Sequence, residues 1–407
     1  MNKLILSTVF LLLLFNSDVK GQLYNDGAMI TIQSGALVHI QGNFTNQGGE
    51  IRNEGLIEIG GDWENSVMSF PMTPGSGVVR MVGTDQLVGG DFPTLFNDLV
   101  LDSNQNVSLT SNIGIGNLIS LNDGIIVLDR NVLHLIKGTP DALEVGSGGV
   151  LAETSDAYGF VRWDIGVEEE DEYSIPFITS ADDHISVSFD ILAPGTDSLG
   201  FLLFSTYATN SENIPLPLGI FELNIGNSDV GLESVDRFWI VTEQEYTSSP
   251  ELNLQVVYAA NEVLPPNEIL ADRLEPIRWD TLDGWGTVGP VVISGNSASF
   301  NLDTYGTLGL RSRITTSVSD IFSNNRLHVY PNPTSDFLLV DLESPVKGEF
   351  DIVIFDSSGK RITSEFIPQG AGNSSFRMAL DNLDTGLYLL SIEGKEVRAI
   401  ETFQVIK

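Results

Sequence analysis

Short runs of alternating apolar and polar residues fill most of the chain. Gly, Asn, Asp, Ser or Pro interrupts them roughly every eight to twelve residues, and residues 185–189 and 252–258 are typical runs. Alternation with a period of two places successive side chains on opposite faces of a strand. No stretch after residue 21 shows the spacing of an amphipathic helix. With 40 Gly and 17 Pro to form turns, the pattern predicts an all-β protein.

The first region, residues 22–153, contains an internal repeat. Residues 37–46 align with residues 56–65 at an offset of nineteen, and the poorly matched positions are His39 with Glu58 and Gln41 with Gly60. A period near twenty, built from short strands and tight corners, is typical of one turn of a β-solenoid. The pattern favours a β-solenoid-like region here over an ordinary β-sandwich, although only two copies align.

Two further β-rich modules are predicted after the repeat region. Residues 154–229 contain an acidic run, several strand-like segments and a Pro-rich loop. Residues 230–312 contain six or seven short alternating runs and a hairpin turn at Asp283-Gly284, which predicts an immunoglobulin-like β-sandwich. Residues 313–325 are polar and poor in core residues, so we expect a linker.

The N-terminus has the layout of a secretory signal peptide. Lys3 provides a basic start, residues 4–15 are almost entirely apolar, and small residues precede a cleavage point between Gly21 and Gln22. The apolar run is shorter than the roughly 20 residues that a membrane-spanning helix needs. We therefore expect residues 1–21 to be removed on export, and no transmembrane segment in the mature chain.

Composition narrows the classes of function. The chain has 55 acidic and 20 basic residues, a formal charge of −35, which opposes binding to nucleic acid because phosphate contacts need clustered Lys and Arg. It has no cysteine, which excludes disulfides, thiolate metal sites and a cysteine nucleophile. The stability of an exported protein of this kind must therefore come from packing.

The C-terminal residues 326–407 carry three ordered motifs, at 330–333, 353–360 and 383–390. They resemble the type A C-terminal sorting domain of the type IX secretion system, which is a small β-sandwich. The positions that carry the resemblance are Tyr330, Pro331, Asn332, Pro333, Gly359, Lys360, Gly386, Tyr388 and the terminal Lys407.

The resemblance implies a route and a location. Such a domain is read by an outer-membrane translocon and is then removed by a sortase-like peptidase, here within the linker. It implies a protein secreted from, or displayed on the outer surface of, a Gram-negative bacterium. The upstream module around Trp239, Trp279 and Trp285 resembles uncharacterised β-modules in cargo of the same system, and that likeness carries no function.

Candidate chemistry is sparse. The chain has no nucleophile elbow, phosphate-binding loop or helical zinc motif. Asp182-Asp183-His184 is the one local arrangement that resembles a metal site, but it lacks a recognised ligand spacing, and a solvated turn is favoured. His39 and His134 are interpreted as outward-facing or satisfied strand residues. We therefore assign no catalytic residue, no metal site and no cofactor from the sequence.

Two functions remain open at this level. The leading hypothesis is a non-catalytic structural or adhesin-like surface protein with a glycan or matrix component as its candidate ligand, because solenoids and sandwiches present long binding faces. The alternative is a secreted β-solenoid enzyme that degrades polysaccharide, or a glycan-binding accessory protein. The abundant Asp and Glu residues permit paired carboxylates that sequence cannot locate in space.

Overall fold

The computed structural model describes the chain from residue 21 onward, with gaps. The described ranges are 21–68, 72–73, 76–102, 106–153, 159–170, 172–226, 228–312, 326–344, 348–356, 360–369, 372–393 and 398–407. The sorting-motif residue Gly359, the predicted linker 313–325 and almost all of the predicted signal peptide lie outside these residues.

The protein is all-β, as its alternating pattern predicts, with about 56% of residues in strands and 4% helical. Among the described residues, the helical segments are four single-turn 3-10 helices, Pro140–Ala142, Gly231–Glu233, Ala260–Val263 and Ala271–Arg273. No described helix is long and apolar enough to cross a membrane. The chain divides into two compact units, Met1–Arg313 and Ile314–Lys407.

Unit 1 begins with a β-solenoid of about six turns, which confirms the predicted N-terminal architecture. Each turn contributes one strand to each of two parallel sheets. In spatial order, sheet A contains β1 (Leu23–Ile32), β3 (Phe44–Asn53), β5 (Trp63–Asn65), β8 (Gln86–Gly89), β10 (Asn106–Leu109), β12 (Ile125–Val127) and β15 (Gly149–Leu151), with β6 (Met72–Thr73) beside β3.

Sheet B forms the other side of the solenoid. Its parallel strands are β2 (Leu37–Ile40), β4 (Leu56–Ile59), β7 (Val78–Met81), β9 (Thr94–Leu101), β11 (Ile113–Leu121), β13 (Val132–Leu135) and β16 (Phe160–Trp163), with β14 (Leu143–Val145) beside β11. The interior between sheets A and B is filled by inward-facing Ile, Leu and Val together with a stack of aromatic rings. Phe44 and Trp63 have ring centroids 4.3 Å apart, and Trp63 and Phe96 5.1 Å apart.

The predicted repeat is the register of two neighbouring turns. Leu37 pairs with Leu56 and Phe44 pairs with Trp63, the alignment seen in the sequence. The mismatched His39 and Glu58 are neighbours on the outer face, where His39 Nδ1 lies 3.2 Å from Glu58 Oε2. Stacking equivalent residues at the strand spacing therefore turns a sequence mismatch into a favourable pair.

Sheet B continues past the solenoid into a sandwich. Strand β16 pairs in parallel with β13 and antiparallel with β19, so one hydrogen-bonded sheet joins the two architectures. The antiparallel part contains β19 (Phe201–Ala208), β22 (Arg237–Gln244), β28 (Gly306–Ser312), β24 (Leu274–Asp280) and β25 (Gly284–Thr287). Segments from 154–229 and from 230–312 share this sheet.

A second antiparallel sheet, sheet C, covers the inner face of this extension. Sheet C contains β17 (Tyr173–Ile175), β18 (Val187–Ala193), β23 (Glu251–Val257), β27 (Ser297–Leu302) and β26 (Val291–Ser294), and β20 (Asn224–Ile225) pairs separately with β21 (Ser228–Asp229). Four buried rings connect the sheets: Tyr173 and Phe189 stack at 4.7 Å, Phe189 and Phe204 at 5.0 Å, and Trp163 meets Tyr173 edge-on at 5.1 Å.

A buried ionic group closes the junction between solenoid and sandwich. The Arg237 side chain at the start of β22 is fully buried. It donates from Nε to both carboxylate oxygens of Glu262, at 2.9 and 3.0 Å, from Nη1 to Thr206 Oγ1 at 3.0 Å, and from Nη2 to Glu153. A buried guanidinium group is tolerated when its N–H groups have acceptors in this way, since an unpaired charge at a buried position would destabilise the fold.

Unit 2 is a small sandwich of two antiparallel sheets. Sheet D contains β29 (Arg326–Tyr330), β30 (Phe337–Ser344) and β33 (Gly372–Ala379). Sheet E contains β32 (Arg361–Gln369), β31 (Gly348–Asp356), β34 (Gly386–Glu393) and β35 (Arg398–Val405). Alternate residues of the strands form its core, including Leu338, Val340, Ile352, Leu390 and Phe403.

Candidate functional site

The first sorting motif is held against the last strand of the chain. Asn332 Nδ2 donates to the Thr402 carbonyl at 3.0 Å, and the Gln404 amide donates to Asn332 Oδ1 at 2.9 Å. The side chain therefore satisfies both a donor and an acceptor on β35, as a neighbouring strand would. Pro331 and Pro333 flank it and have no N–H to offer, so the Asn332 amide side chain makes these contacts instead.

Thr334 extends the same contact to the end of the chain. Its amide donates to the Gln404 carbonyl at 2.9 Å, and the Ile406 amide donates to the Thr334 carbonyl at 2.8 Å. Thr334 is buried. A shallow recess of about 280 Å³ lies beside this contact and is lined by Pro331, Pro333, Thr334, Ser335, Asp336, Phe337 and Ile406. The first motif and the C-terminus thus form one surface.

The third motif joins this surface through the turn before β34. Tyr388 stacks on Phe403 with ring centroids 5.7 Å apart and donates from its hydroxyl to the Asp384 carbonyl at 3.0 Å. A Cβ at Gly386 would lie 3.4 Å from the Tyr388 ring, which is an ordinary van der Waals distance. The terminal Lys407 amide donates to Thr385 Oγ1 at 3.0 Å, and Lys407 Nζ donates to the Asp381 carbonyl at 2.9 Å.

The remaining predicted sorting residues lie elsewhere on unit 2. Tyr330 ends β29, and its hydroxyl donates to Asp341 Oδ2 at 2.8 Å. Lys360 is the last residue of the second motif, and its amide donates to Asp356 Oδ1 at 3.1 Å. The order of the three motifs is visible in the sequence, whereas the contact of Asn332 with strand β35 depends on the fold.

The predicted cleavage residues Gly21 and Gln22 are exposed and immediately precede β1. The Gly21 carbonyl accepts a hydrogen bond from the Gly42 amide at 2.8 Å, so this residue already follows the path of the first solenoid turn. Cleavage between Gly21 and Gln22 stays a prediction.

A groove of about 440 Å³ crosses the outer face of sheet B in unit 1. Gly114 on β11 pairs with Leu95 on β9 and with His134 on β13, and His134 pairs with Arg162 on β16. Because Gly114 has no side chain, the row of outward-facing residues dips between Leu95 and His134. The groove, which we call the sheet B groove, is lined by Pro93, Leu95, Asn112, Ile113, Gly114, Val132, His134, Ile136, Arg162, Phe201, Leu203 and Gln244.

One end of the sheet B groove carries linked charged groups. Asp164 Oδ2 lies 2.7 Å from His134 Nε2, and Asp164 Oδ1 accepts from Arg162 Nε at 2.8 Å. The guanidinium carbon of Arg162 lies 3.6 Å from the centroid of the Phe201 ring, a cation–π contact. Burial opposes ionisation of Asp164, but the hydrogen bonds from His134 and Arg162 outweigh it and hold the pKa of this carboxyl below its usual value.

Other histidines and acids are used in local structure. Asp182, Asp183 and His184 lie in an exposed turn, where the Asp183 amide donates to Thr179 Oγ1 at 3.1 Å. Within the described ranges, no group of three or more His, Cys, Asp or Glu side chains is placed to hold a metal ion. Gly114, Arg162 and Phe201 form no motif in the sequence, because their proximity depends on pairing across four strands.

A comparison with known protein families finds a match within the C-terminal unit. Residues 328–407 match the family model described as the secretion system C-terminal sorting domain. No curated protein matches the chain. The match covers the strands that bring the first and third motifs together, and it agrees with the family expected from the three motifs. Residues 328–407 are therefore a type IX secretion C-terminal sorting domain, and the chain is cargo of that secretion system.

Proposed function

We propose that the exported part of this protein is a non-catalytic, adhesin-like surface protein that binds an extended glycan in the sheet B groove. A signal peptide ending at Gly21 would take the chain across the inner membrane of a Gram-negative cell. The sorting domain would then be read by the translocon and removed by a sortase-like peptidase. The observation that carries the proposal is the groove at Gly114, where a rigid sheet offers a concave, mixed polar and apolar surface.

The dimensions and lining of the groove suit a sugar. Its volume of about 440 Å³ lies within the range of about 300 to 1,000 Å³ typical of small-ligand sites. Leu95 and Ile136 offer apolar walls to the C–H faces of a sugar ring, and Asn112 and Gln244 offer amide groups to its hydroxyls. The Arg162 Nη groups donate to no described residue, so they are available to a ligand oxygen or carboxylate.

The acid beside the groove supports binding over catalysis. Hydrolysis of a glycosidic bond ordinarily requires two carboxyl groups, one to donate a proton and one to act as base or nucleophile. Both oxygens of Asp164 are engaged, one by His134 and one by Arg162. This bonding orients the two basic side chains toward the groove and favours a positioning role for Asp164.

Binding to an array of polysaccharides and oligosaccharides tests the proposal. We expect the purified protein to bind a specific glycan on the array. We expect Gly114→Leu to weaken that binding by about tenfold or more, because the new side chain fills the floor of the groove. A Cβ at Gly114 already lies 2.9 Å from Leu95 Cδ1, the end of a flexible side chain that can move aside. Gly286→Leu is the matched control, because Gly286 lies on β25 of the same sheet with open space around it.

The purified parent protein and its variants also distinguish a binding protein from the alternative, an enzyme that degrades polysaccharide. Release of reducing ends from a polysaccharide, lost in Asp164→Asn while binding persists, would support a secreted polysaccharide-degrading enzyme instead. Equal glycan retention by the parent protein, Gly114→Leu and Gly286→Leu would show that the groove is not the binding site. A protein that retains none of the glycans would contradict the adhesin-like proposal.

A further inference from the structure

A second polar site lies where three loops meet at one end of sheet B. Thr209 follows β19, Asp236 precedes β22, and Asn267 follows the 3-10 helix Ala260–Val263. The Thr209 amide donates to the Asp236 carbonyl at 2.8 Å, and the Asp236 amide donates to the Glu262 carbonyl at 3.0 Å. Asp236 and Asn267 are 8% and 7% exposed, so both side chains are more than nine-tenths buried.

The oxygen atoms of this site are only partly satisfied. Asn267 Nδ2 donates to Asp236 Oδ2 at 2.9 Å and to the Glu262 carbonyl at 3.3 Å. Asp236 Oδ1, Asn267 Oδ1 and Thr209 Oγ1 are buried and have no hydrogen-bond partner among the described residues. A buried polar atom left without a partner is unfavourable, so three of them in adjoining loops make this place a candidate ligand site.

The neighbouring Arg237 does not neutralise Asp236. Its guanidinium is directed at Glu262, Glu153 and Thr206 and donates to all three. Asp236 is thus a buried carboxyl group whose positive neighbour is already committed elsewhere.

We propose that Asp236, Asn267 and Thr209 bind a calcium ion. A carboxylate, an amide carbonyl and a hydroxyl are hard oxygen ligands, the set that Ca²⁺ accepts at about 2.3 to 2.6 Å in flexible geometry. Mg²⁺ demands near-octahedral geometry and gives up its waters reluctantly, so it fits an enclosed site of this kind less well. With one carboxylate among the ligands, we expect the affinity of extracellular modules, a dissociation constant of about 10⁻⁴ to 10⁻³ M.

The substitution Asn267→Asp gives opposite results for a cation site and for a site filled by water or a proton. Two carboxyl groups sharing a cation bind it more tightly, whereas two carboxyl groups without one repel each other. We therefore expect Asn267→Asp to bind Ca²⁺ about tenfold more tightly than the parent and to unfold at a lower temperature in chelator.

Thermal unfolding and calorimetric titration of the full chain measure the site. We expect 10 mM CaCl₂, about ten or more times the expected dissociation constant, to raise the unfolding temperature of unit 1 by roughly 3 °C or more over chelator. The rise should be absent in Asp236→Asn and kept in Asp283→Asn, an exposed acid in the β24–β25 turn. Thr209→Val leaves the Asp236 carboxyl group in place but removes the hydroxyl ligand, and it should weaken calcium binding several-fold.

Three outcomes would overturn the proposal. The first is the same calcium-induced shift in the parent protein and in Asp236→Asn, which would assign the effect to diffuse surface charge. The second is an Asn267→Asp protein that is destabilised equally with and without calcium, which would assign the site to water or a proton. The third is a parent protein that takes up no calcium at millimolar concentration. If Asp236→Asn fails to fold, the Asn267→Asp and Thr209→Val titrations decide.

Discussion

Single polar residues stabilise unit 1 when their partners come from other turns or other strands. The Glu58 carboxylate contacts His39 of the preceding turn and Arg80 of the following turn, and Arg80 Nη1 lies 3.2 Å from Glu58 Oε1. Arg237 does the same in the interior, bridging Glu153 at the end of the solenoid and Glu262 in the sandwich. These contacts turn isolated charges into links between successive parts of the fold.

The contribution of Asp164 to the stability of the fold depends on pH. Its pKa is lower in the folded protein than in the unfolded chain, so its stabilising contribution is present above about pH 4 and is lost as the pH falls through the lowered value. We expect Asp164→Asn to reduce the free energy of unfolding at pH 7 by about 1 to 3 kcal/mol. Urea unfolding between pH 7 and pH 3 measures the effect.

The difference between the parent and Asp164→Asn should shrink toward zero below pH 4. Asp272→Asn is the control, because Asp272 is exposed in a 3-10 helix and should cost less than about 0.5 kcal/mol. A difference that stays constant across the whole pH range would show that Asp164 stabilises the fold by packing alone.

At the scale of elements, the solenoid turn is the repeating unit of unit 1. Phe44 and Trp63 occupy equivalent places in adjacent turns of sheet A, and Thr45 donates to Glu64 across the same nineteen-residue separation. Each turn therefore rests mainly on its two neighbours, as in other repeat proteins.

Deleting residues 44–62 tests this modularity. The deletion removes one full turn and joins Asn43 to Trp63, in the way that Asp62 precedes Trp63 in the parent chain. We expect a shorter solenoid that still unfolds cooperatively in a thermal melt followed by circular dichroism. Deleting residues 46–63 instead, one residue fewer and joined inside the strand, shifts the register and would place Glu64 at the buried position of Asn46. Similar behaviour of the two deletions would contradict the repeat.

The sequence predicts this element well in its first turns and less well later, for a physical reason. Residues 37–46 and 56–65 keep the same strand and corner lengths, so their alignment could be read directly. The next pair, Glu58 and Arg80, is separated by 22 residues because the intervening corner is longer. Corners on the surface accept insertions at little cost, and each insertion breaks the sequence period while the sheet register continues.

The sheet B groove and the calcium site could not be predicted in this way. His134 and Asp164 meet across 30 residues, and Asp236 and Asn267 meet across 31. Neither pair belongs to a sequence motif, since the two residues are brought together by strand pairing or by loop packing in the fold. The sorting motif was recognisable because its residues lie in short, ordered blocks, although the link from Asn332 to Thr402 spans 70 residues.

On the scale of the whole molecule, the two units divide their tasks. Unit 2 carries the sorting domain that directs export, whereas unit 1 holds the groove and the loops that we propose as binding sites. Export and the proposed binding therefore depend on different residues of the chain.

Loss of the sorting domain should stop export. A chain lacking residues 328–407 is expected to accumulate in the periplasm, and cell fractionation with immunoblotting measures it. Asn332→Ala, which removes both side-chain bonds to β35, should reduce the exported fraction. Asn382→Ala, at an exposed position of the same unit, is the matched control. Normal surface delivery of the truncated chain would contradict the sorting assignment.

The continuity of sheet B determines how unit 1 would respond to tension at its C-terminal end. Unit 1 ends at β28, which lies between β22 and β24 and is hydrogen-bonded to both. Tension applied along β28 would load those bonds in shear, so they would resist together and would not open one by one. From β28 the same sheet leads through β22, β19 and β16 to the solenoid strands around Gly114. Drag on a ligand held there would reach the C-terminal strand of unit 1 through a continuous hydrogen-bonded sheet.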